Sequence, residues 1–88
     1  MTTTLLEADL EALAPAASVD ARGAACPGPL LEAKKAIGTV PVGEVLELWS
    51  SDPQTKKDVE AWSGKVGHGF LGVVPAEGYD RVFIRRAK

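Results

Sequence analysis

The sequence predicts an α/β (α+β) two-layer sandwich, in which a four-stranded mixed sheet carries two helices on one face. Three observations lead there. The chain has 88 residues, enough for one domain with one modest core. Two stretches repeat apolar residues at helical spacing, and four shorter ones read as strands between Gly, Pro and Asp breakers, giving the order β-α-β-α-β-β. Right-handed crossovers then place both helices on the same side of the sheet.

Met1–Ala17 has no Lys or Arg, and acids interrupt its apolar residues. It therefore lacks the basic start and apolar run of a signal peptide, and it is expected to be a flexible extension to a domain spanning Ser18–Lys88. Leu6, Leu10 and Leu13 nevertheless share one helical face, which permits a short amphipathic segment. Ser18–Ala21 reads as the first strand, ended by Arg22-Gly23. The stretch Leu30–Val40 has Leu30, Ala33, Ile37 and Val40 at helical spacing, closed by Gly38 and Pro41. Glu44–Ser50 is a strand, with Leu46 and Leu48 on one face and Val45, Glu47 and Trp49 on the other. Asp52 and Pro53 suggest the N-cap and first position of a second helix, whose stripe is Thr55, Val59, Trp62 and Val66. His68–Val74 and Tyr79–Arg86 are the last strands, joined by a Pro75–Gly78 turn.

Composition narrows the function. Twelve acidic residues against ten basic ones leave a net charge of −2, opposite to the electrostatic footprint of a nucleic-acid binder. The single Cys rules out an internal disulfide, and one Cys with one His falls short of the usual tetrahedral zinc set. No apolar run of about 18 residues is present, so no membrane span is expected. A monomer in the cytoplasm, without cofactor or metal, is the reading that follows.

Cys26 stands where the first helix begins, with Pro27 and Pro29 after it. The first N–H groups of a helix have no intrahelical partner, so prolines there break no bond and preset the helical φ. Gly28 and Leu30 keep N–H groups that can face a sulfur anion. A helix terminus stabilises a nearby anion by roughly 0.3–1 kcal/mol, up to about 2 when partly buried. That lowers a thiol pKa by less than about 1.5 units, to which Arg22, Lys34 and Lys35 could add. A free Cys is commonly a small buried hydrophobe, but an exposed helix start beside Gly23 favours a reactive thiol.

The stretch from Val19 to Pro29 (VDARGAACPGP) resembles the D-x-R-G-x-x-C-P-x-P signature of TusA-like (SirA-like) sulfurtransferases. The resemblance continues through Pro41-Val42-Gly43-Glu44, Ser51-Asp52-Pro53, Ala61-Trp62, Gly67-His68 and Tyr79–Arg85. It implies a βαβαββ sandwich whose cysteine, here Cys26, carries sulfur as a persulfide. It implies that Arg22, Gly23, Pro27, Gly28 and Pro29 support that cysteine, and that a surface with Leu31, Lys34 and Lys35 meets partner proteins. A sulfur donor (cysteine desulfurase or rhodanese-like) and an acceptor would be those partners, in tRNA thiolation, molybdenum-cofactor metabolism or sulfur oxidation. Two departures matter. Ser63 stands where some relatives have a second cysteine, which excludes an intramolecular resolving step. Gly69 stands where an acidic residue is common.

Other features carry less. Gly67–Gly72 spells G-x-G-x-x-G, but a strand and turn follow it instead of the helix a dinucleotide site requires, so a bulge or a close backbone approach is the better reading. His68 reads as a strand-edge or satisfied histidine ahead of an acid/base partner for Cys26, and Trp49 and Trp62 as core or half-exposed contacts. Arg81, Arg85, Arg86 and Lys88 read as a solvated strand edge that resists pairing, ahead of an RNA contact. For Arg22, support of Cys26 and a loop-pinning salt bridge to Asp20 or another acid weigh equally. The alternative for the whole protein is a non-catalytic interaction or regulatory module of the same fold.

Overall fold

The computed structural model describes residues 15–24 and 28–88. The expected element order holds: β1 (Ala17–Asp20), α1 (Gly28–Ile37), β2 (Val45–Ser50), α2 (Thr55–Val66), β3 (Gly69–Ala76) and β4 (Tyr79–Arg85). The sheet runs β1-β2-β4-β3. β1 and β2 are parallel, whereas β4 is antiparallel to both β2 and β3. The last strand thus inserts between β2 and β3 and becomes an interior strand.

The alternation of β2 sorts the molecule into layers, because successive strand residues face opposite sides. Leu46 and Leu48 join Val82 and Ile84 of β4, together with Ala33 and Ile37 of α1 and Val59 of α2, in the main core. Both helices therefore lie on one face. Val40 completes this core from the turn after α1, so the expected helical stretch ends three residues early while its apolar spacing still reaches the interior. Val45, Val74 and Phe83 form a second cluster on the opposite face.

Three local expectations are corrected. Asp52 does not cap α2. Its Oδ1 accepts the Gln54 N–H at 2.9 Å, the Thr55 N–H reaches the Asp52 carbonyl at 3.1 Å, and the helix starts at Thr55 behind Gln54. Thr55 is drawn inward because its buried hydroxyl meets Ser50 Oγ at 2.7 Å, so Asp52-Pro53-Gln54 becomes a turn. The buried stripe of α2 is Thr55, Val59 and Ser63, with Trp62 half-buried and Val66 exposed. Pro75 lies inside β3, paired with Asp80; β3 is an outer strand, where a missing N–H need not break a ladder bond. Glu77-Gly78 makes the turn instead, with Gly78 at φ +83°, a conformation costly for residues with a Cβ.

The predicted solvated edge is corrected for Arg81 and Arg86, because β4 is interior, while Arg85 and Lys88 are exposed as expected. Arg81 Nε donates to Glu47 Oε2 at 2.6 Å. Arg86 donates to the Val40 carbonyl at 2.8 Å and, at the strand end, to that of Lys88. The G-x-G-x-x-G run serves the backbone. Gly67 closes α2 through its N–H to the Ser63 carbonyl, and the β3–β4 register shifts between Phe70 and Gly72, as a bulge does.

The Ser63 hydroxyl is fully buried and has no hydrogen-bond partner among the described residues. A buried polar group without a partner is destabilising by about 1–3 kcal/mol, and alanine is the better helix former. Ser63→Ala is therefore expected to raise the unfolding midpoint by a few degrees, on the order of 1 kcal/mol. A lower midpoint in a thermal melt would show that the hydroxyl has a partner after all.

Candidate functional site

The segment leading to Cys26 is pinned on both sides of the turn after β1. Arg22 forms a fork with Asp20: Nε to Oδ1 at 2.8 Å and Nη2 to Oδ2 at 2.7 Å. The Arg22 N–H also donates to Oδ1 at 3.1 Å. The guanidinium lies 4.9 Å from the ring centres of both Trp49 and Tyr79, and these rings contact each other at 5.7 Å. The next residue, Gly23, has φ +87° and donates to Ser51 Oγ at 2.9 Å. A side chain there would be strained by the backbone even though the space beside it is open.

Gly28 opens α1 close to Ala24; a Cβ on Gly28 would lie 3.2 Å from that of Ala24. Pro29 is buried, and Leu31, Lys34 and Lys35 are exposed. Residues 25–27, with Cys26 and Pro27, lie outside the described residues, as does the expected amphipathic stretch Leu6–Leu13. Of the site residues read from the sequence, the structure groups Arg22 and Gly23 before this gap and Gly28 and Pro29 after it.

The expected Arg22–Asp20 salt bridge is present, whereas support of Cys26 by Arg22 turns on residues outside the described ones. Its charge is directed at Asp20 and its plane at two aromatic rings. Lys34 and Lys35 lie in the last turn of α1, where cations complement the helix dipole. Lys34 is six residues along the helix from Gly28, about 9 Å at 1.5 Å per residue, close to the screening length of physiological salt.

The Arg22 side-chain hydrogen bonds, followed by its backbone N–H, hold the Asp20 carboxyl down from its ordinary 3.8 to about 2. A carboxyl depressed by folding contributes stability above its unfolded pKa and loses it as pH falls through the folded one. The Asp20–Arg22 contribution should therefore be whole above about pH 4 and fade towards pH 2. A carboxyl NMR titration is expected to give Asp20 a midpoint near 2 and to show it moving up in Arg22→Ala. An unchanged midpoint in that variant would sink the assignment.

Sequence reasoning missed one feature beside this loop. Glu47 is 4% exposed, and its Oε2 accepts from both Arg81 Nε and Trp49 Nε1. Trp49 is thereby fixed beneath Arg22. The signal available was the strand alternation, which put Glu47 between Val45 and Trp49 on one face. His68 is satisfied, as read: Nδ1 accepts the Ala87 N–H at 3.1 Å, and the ring meets Trp62 edge-on at 5.6 Å. Among the described residues, no three His, Cys, Asp or Glu side chains gather to hold a metal, and no helix is long and apolar enough to cross a membrane.

Residues 17–86 match the family model described as Sulfurtransferase TusA. The chain belongs to the TusA family. The match begins with β1 and spans every element of the sandwich. A candidate sulfur carrier protein of Archaeoglobus fulgidus is 46% identical over 70 residues, 80% of this chain and 96% of that one. The sulfur carrier protein TusA of Pseudomonas entomophila is 31% identical over 70 residues, covering 80% and 88% of the two chains. The crystal structure of a SirA-like protein from Desulfitobacterium hafniense superposes with a TM-score of 0.70, covering 82% of this chain and 99% of that one. At 20% identity that likeness speaks for the TusA-type fold alone.

Proposed function

We propose that this protein is a sulfur carrier that accepts sulfane sulfur on Cys26 and passes it to an acceptor protein. The observation that carries the reading is the position of its one cysteine: within the region matched to the TusA family, between the pinned Arg22-Gly23 turn and the first residue of α1.

The Cys26 thiolate attacks the outer sulfur of a donor persulfide. A new S–S bond forms, the donor's S–S bond breaks, and the donor cysteine leaves as a thiolate. An acceptor thiolate then attacks the outer sulfur of the Cys26 persulfide and releases the Cys26 thiolate. Each step exchanges one S–S bond for another, so no external oxidant or reductant is needed, and no second cysteine in this chain either. The donor is a cysteine desulfurase or a rhodanese-like protein, and the chemistry belongs in the cytoplasm, where thiols stay reduced. Leu31, 54% exposed, with Lys34 and Lys35 forms the docking patch on α1. A small patch suits a relay protein that must release each partner.

Intact-mass spectrometry of reduced protein, after brief exposure to a desulfurase with cysteine or to polysulfide, tests this. The expected result is a gain of one or more sulfur atoms, removed by reductant. With one cysteine in the chain, that persulfide sulfur resides on Cys26. No labile sulfur with either donor rejects the proposal and leaves the interaction module as the reading to pursue through the α1 surface.

A further inference from the structure

Each helix returns the chain from the end of one strand to the start of the next, so α1 and α2 both finish where β2 and β3 begin and β4 ends. Six of the ten Lys and Arg residues gather at that end. Lys34 and Lys35 occupy the last turn of α1, and Lys65 that of α2. Cations in those places complement the helix dipoles, but Arg85, Arg86 and Lys88 belong to neither helix. Arg85 pairs with Val45 and Gly69, the first residues of β2 and β3. Beyond it the chain crosses between the two helix ends. Arg86 donates to the Gly38 and Val40 carbonyls after α1, and the Ala87 N–H donates to His68 after α2. The Lys88 side chain lies against Gly67, where an added Cβ would meet its Cε at 2.9 Å.

These charges are not cancelled. The carbonyls satisfy Arg86 but carry no opposite charge. Among the described residues, none of the six cations forms an ion pair with a carboxylate, and Glu44 is the only acidic side chain at this end. The opposite end, where Arg22-Gly23 and Gly28 bracket Cys26 in the chain, holds Asp20, Asp52, Glu77 and Asp80. A chain with a net charge of −2 is thus polarised along its strands. The basic end also exposes apolar side chains. Val42 is 61% exposed, in the turn whose Gly43 N–H donates to the Arg86 carbonyl at 2.7 Å. Val66 is 38% exposed, one residue before the Gly67 that Lys88 covers.

We propose that this end is a docking surface for an acidic segment of a partner protein. Its carboxylates face Lys65, Arg85 and Lys88, and an apolar side chain of the same segment covers Val42 or Val66. Charge complementarity sets the sign of the partner. The valines favour a polypeptide, because apolar contacts within a polar rim are the anatomy of protein interfaces, whereas nucleic-acid bases stack on aromatic rings. A partner held here leaves the end that carries the Cys26 segment open to a second protein. The surface does not depend on the sulfur-carrier reading.

NMR titration of the full-length labelled protein with a short synthetic peptide of Glu and Leu tests this, beside a Lys and Leu peptide, oligouridine and phosphatidylglycerol vesicles. The expected result is that the acidic peptide shifts the amides of Val42–Glu44, Val66–His68 and Arg85–Lys88, less so as salt is added. Arg85→Glu with Lys88→Glu should weaken binding by at least about tenfold without lowering the melt, and polysulfide should still load Cys26 in that variant. Each single reversal should cost more than Lys57→Glu, the same change of charge near the start of α2. Absence of those shifts, or an equal loss in Lys57→Glu, would overturn the proposal. So would tighter binding of the oligonucleotide or the vesicles at the same amides. Binding seen only after Glu7→Gln, Asp9→Asn and Glu11→Gln would overturn it too, by making the chain's own acids the occupant.

Discussion

Cys26→Ser is expected to reduce sulfur transfer from a desulfurase to a thiol acceptor to the rate measured with no carrier present. The substitution is nearly isosteric, so the fold should survive it, and the melt should match the wild type within about 0.5–1 kcal/mol. What disappears is the chemistry: an alcohol neither ionises near neutrality nor holds a sulfane sulfur that a second thiolate can remove. Arg22→Ala supplies the contrast. Because the guanidinium is directed at Asp20 and stacked on Trp49 and Tyr79, its loss should loosen the turn and slow loading while the persulfide still forms. Radiolabelled sulfur followed from donor to acceptor separates the two variants. Substantial transfer by Cys26→Ser would remove the carrier role from this residue.

Glu47→Ala is expected to be the most destabilising of the single substitutions considered, by about 3 kcal/mol, at the low end for breaking a buried ion pair. For a domain of this size that lowers the melting midpoint by on the order of 10–20 °C. The carboxylate is 4% exposed and serves Arg81 and Trp49 together, with Ser18 Oγ at 3.4 Å on its other oxygen. Its removal takes a buried acceptor from both donors. Glu47→Gln keeps an acceptor and should lose about half as much, because charge-assisted bonds are roughly twice as strong as neutral ones. Replacing both Glu47 and Arg81 by leucine should recover much of the loss, since an apolar pair leaves no uncompensated charge. Urea denaturation of the cycle checks this. Additive single losses, with no recovery in the pair, would show that the two residues act independently.

The fold was largely legible because short amphipathic elements declare their period. Leu46 and Leu48 alternating with Val45, Glu47 and Trp49 assigned the two faces of β2, and Ala33 and Ile37 marked the buried side of α1. The misreadings share a cause. Asp52, Pro75 and Arg81 were read through local rules, and in each case the packing of the folded chain decided. Thr55 is pulled under Ser50, β3 lies at the outer edge, and β4 is threaded between two strands.

The chain alone determined the class of fold, the single cysteine and its motif, and the family they resemble, because period, composition and spacing are written residue by residue. Tertiary structure decided what each charged side chain does. Whether Glu47 is a solvated acid or the buried anchor of Trp49 and Arg81 depends on strands far apart in sequence. Whether Arg22 is a free cation or one locked over two rings depends on β2 and β4 meeting beneath it. Electrostatic roles follow from burial and from the nearest opposite charge, and both exist only once the strands have paired.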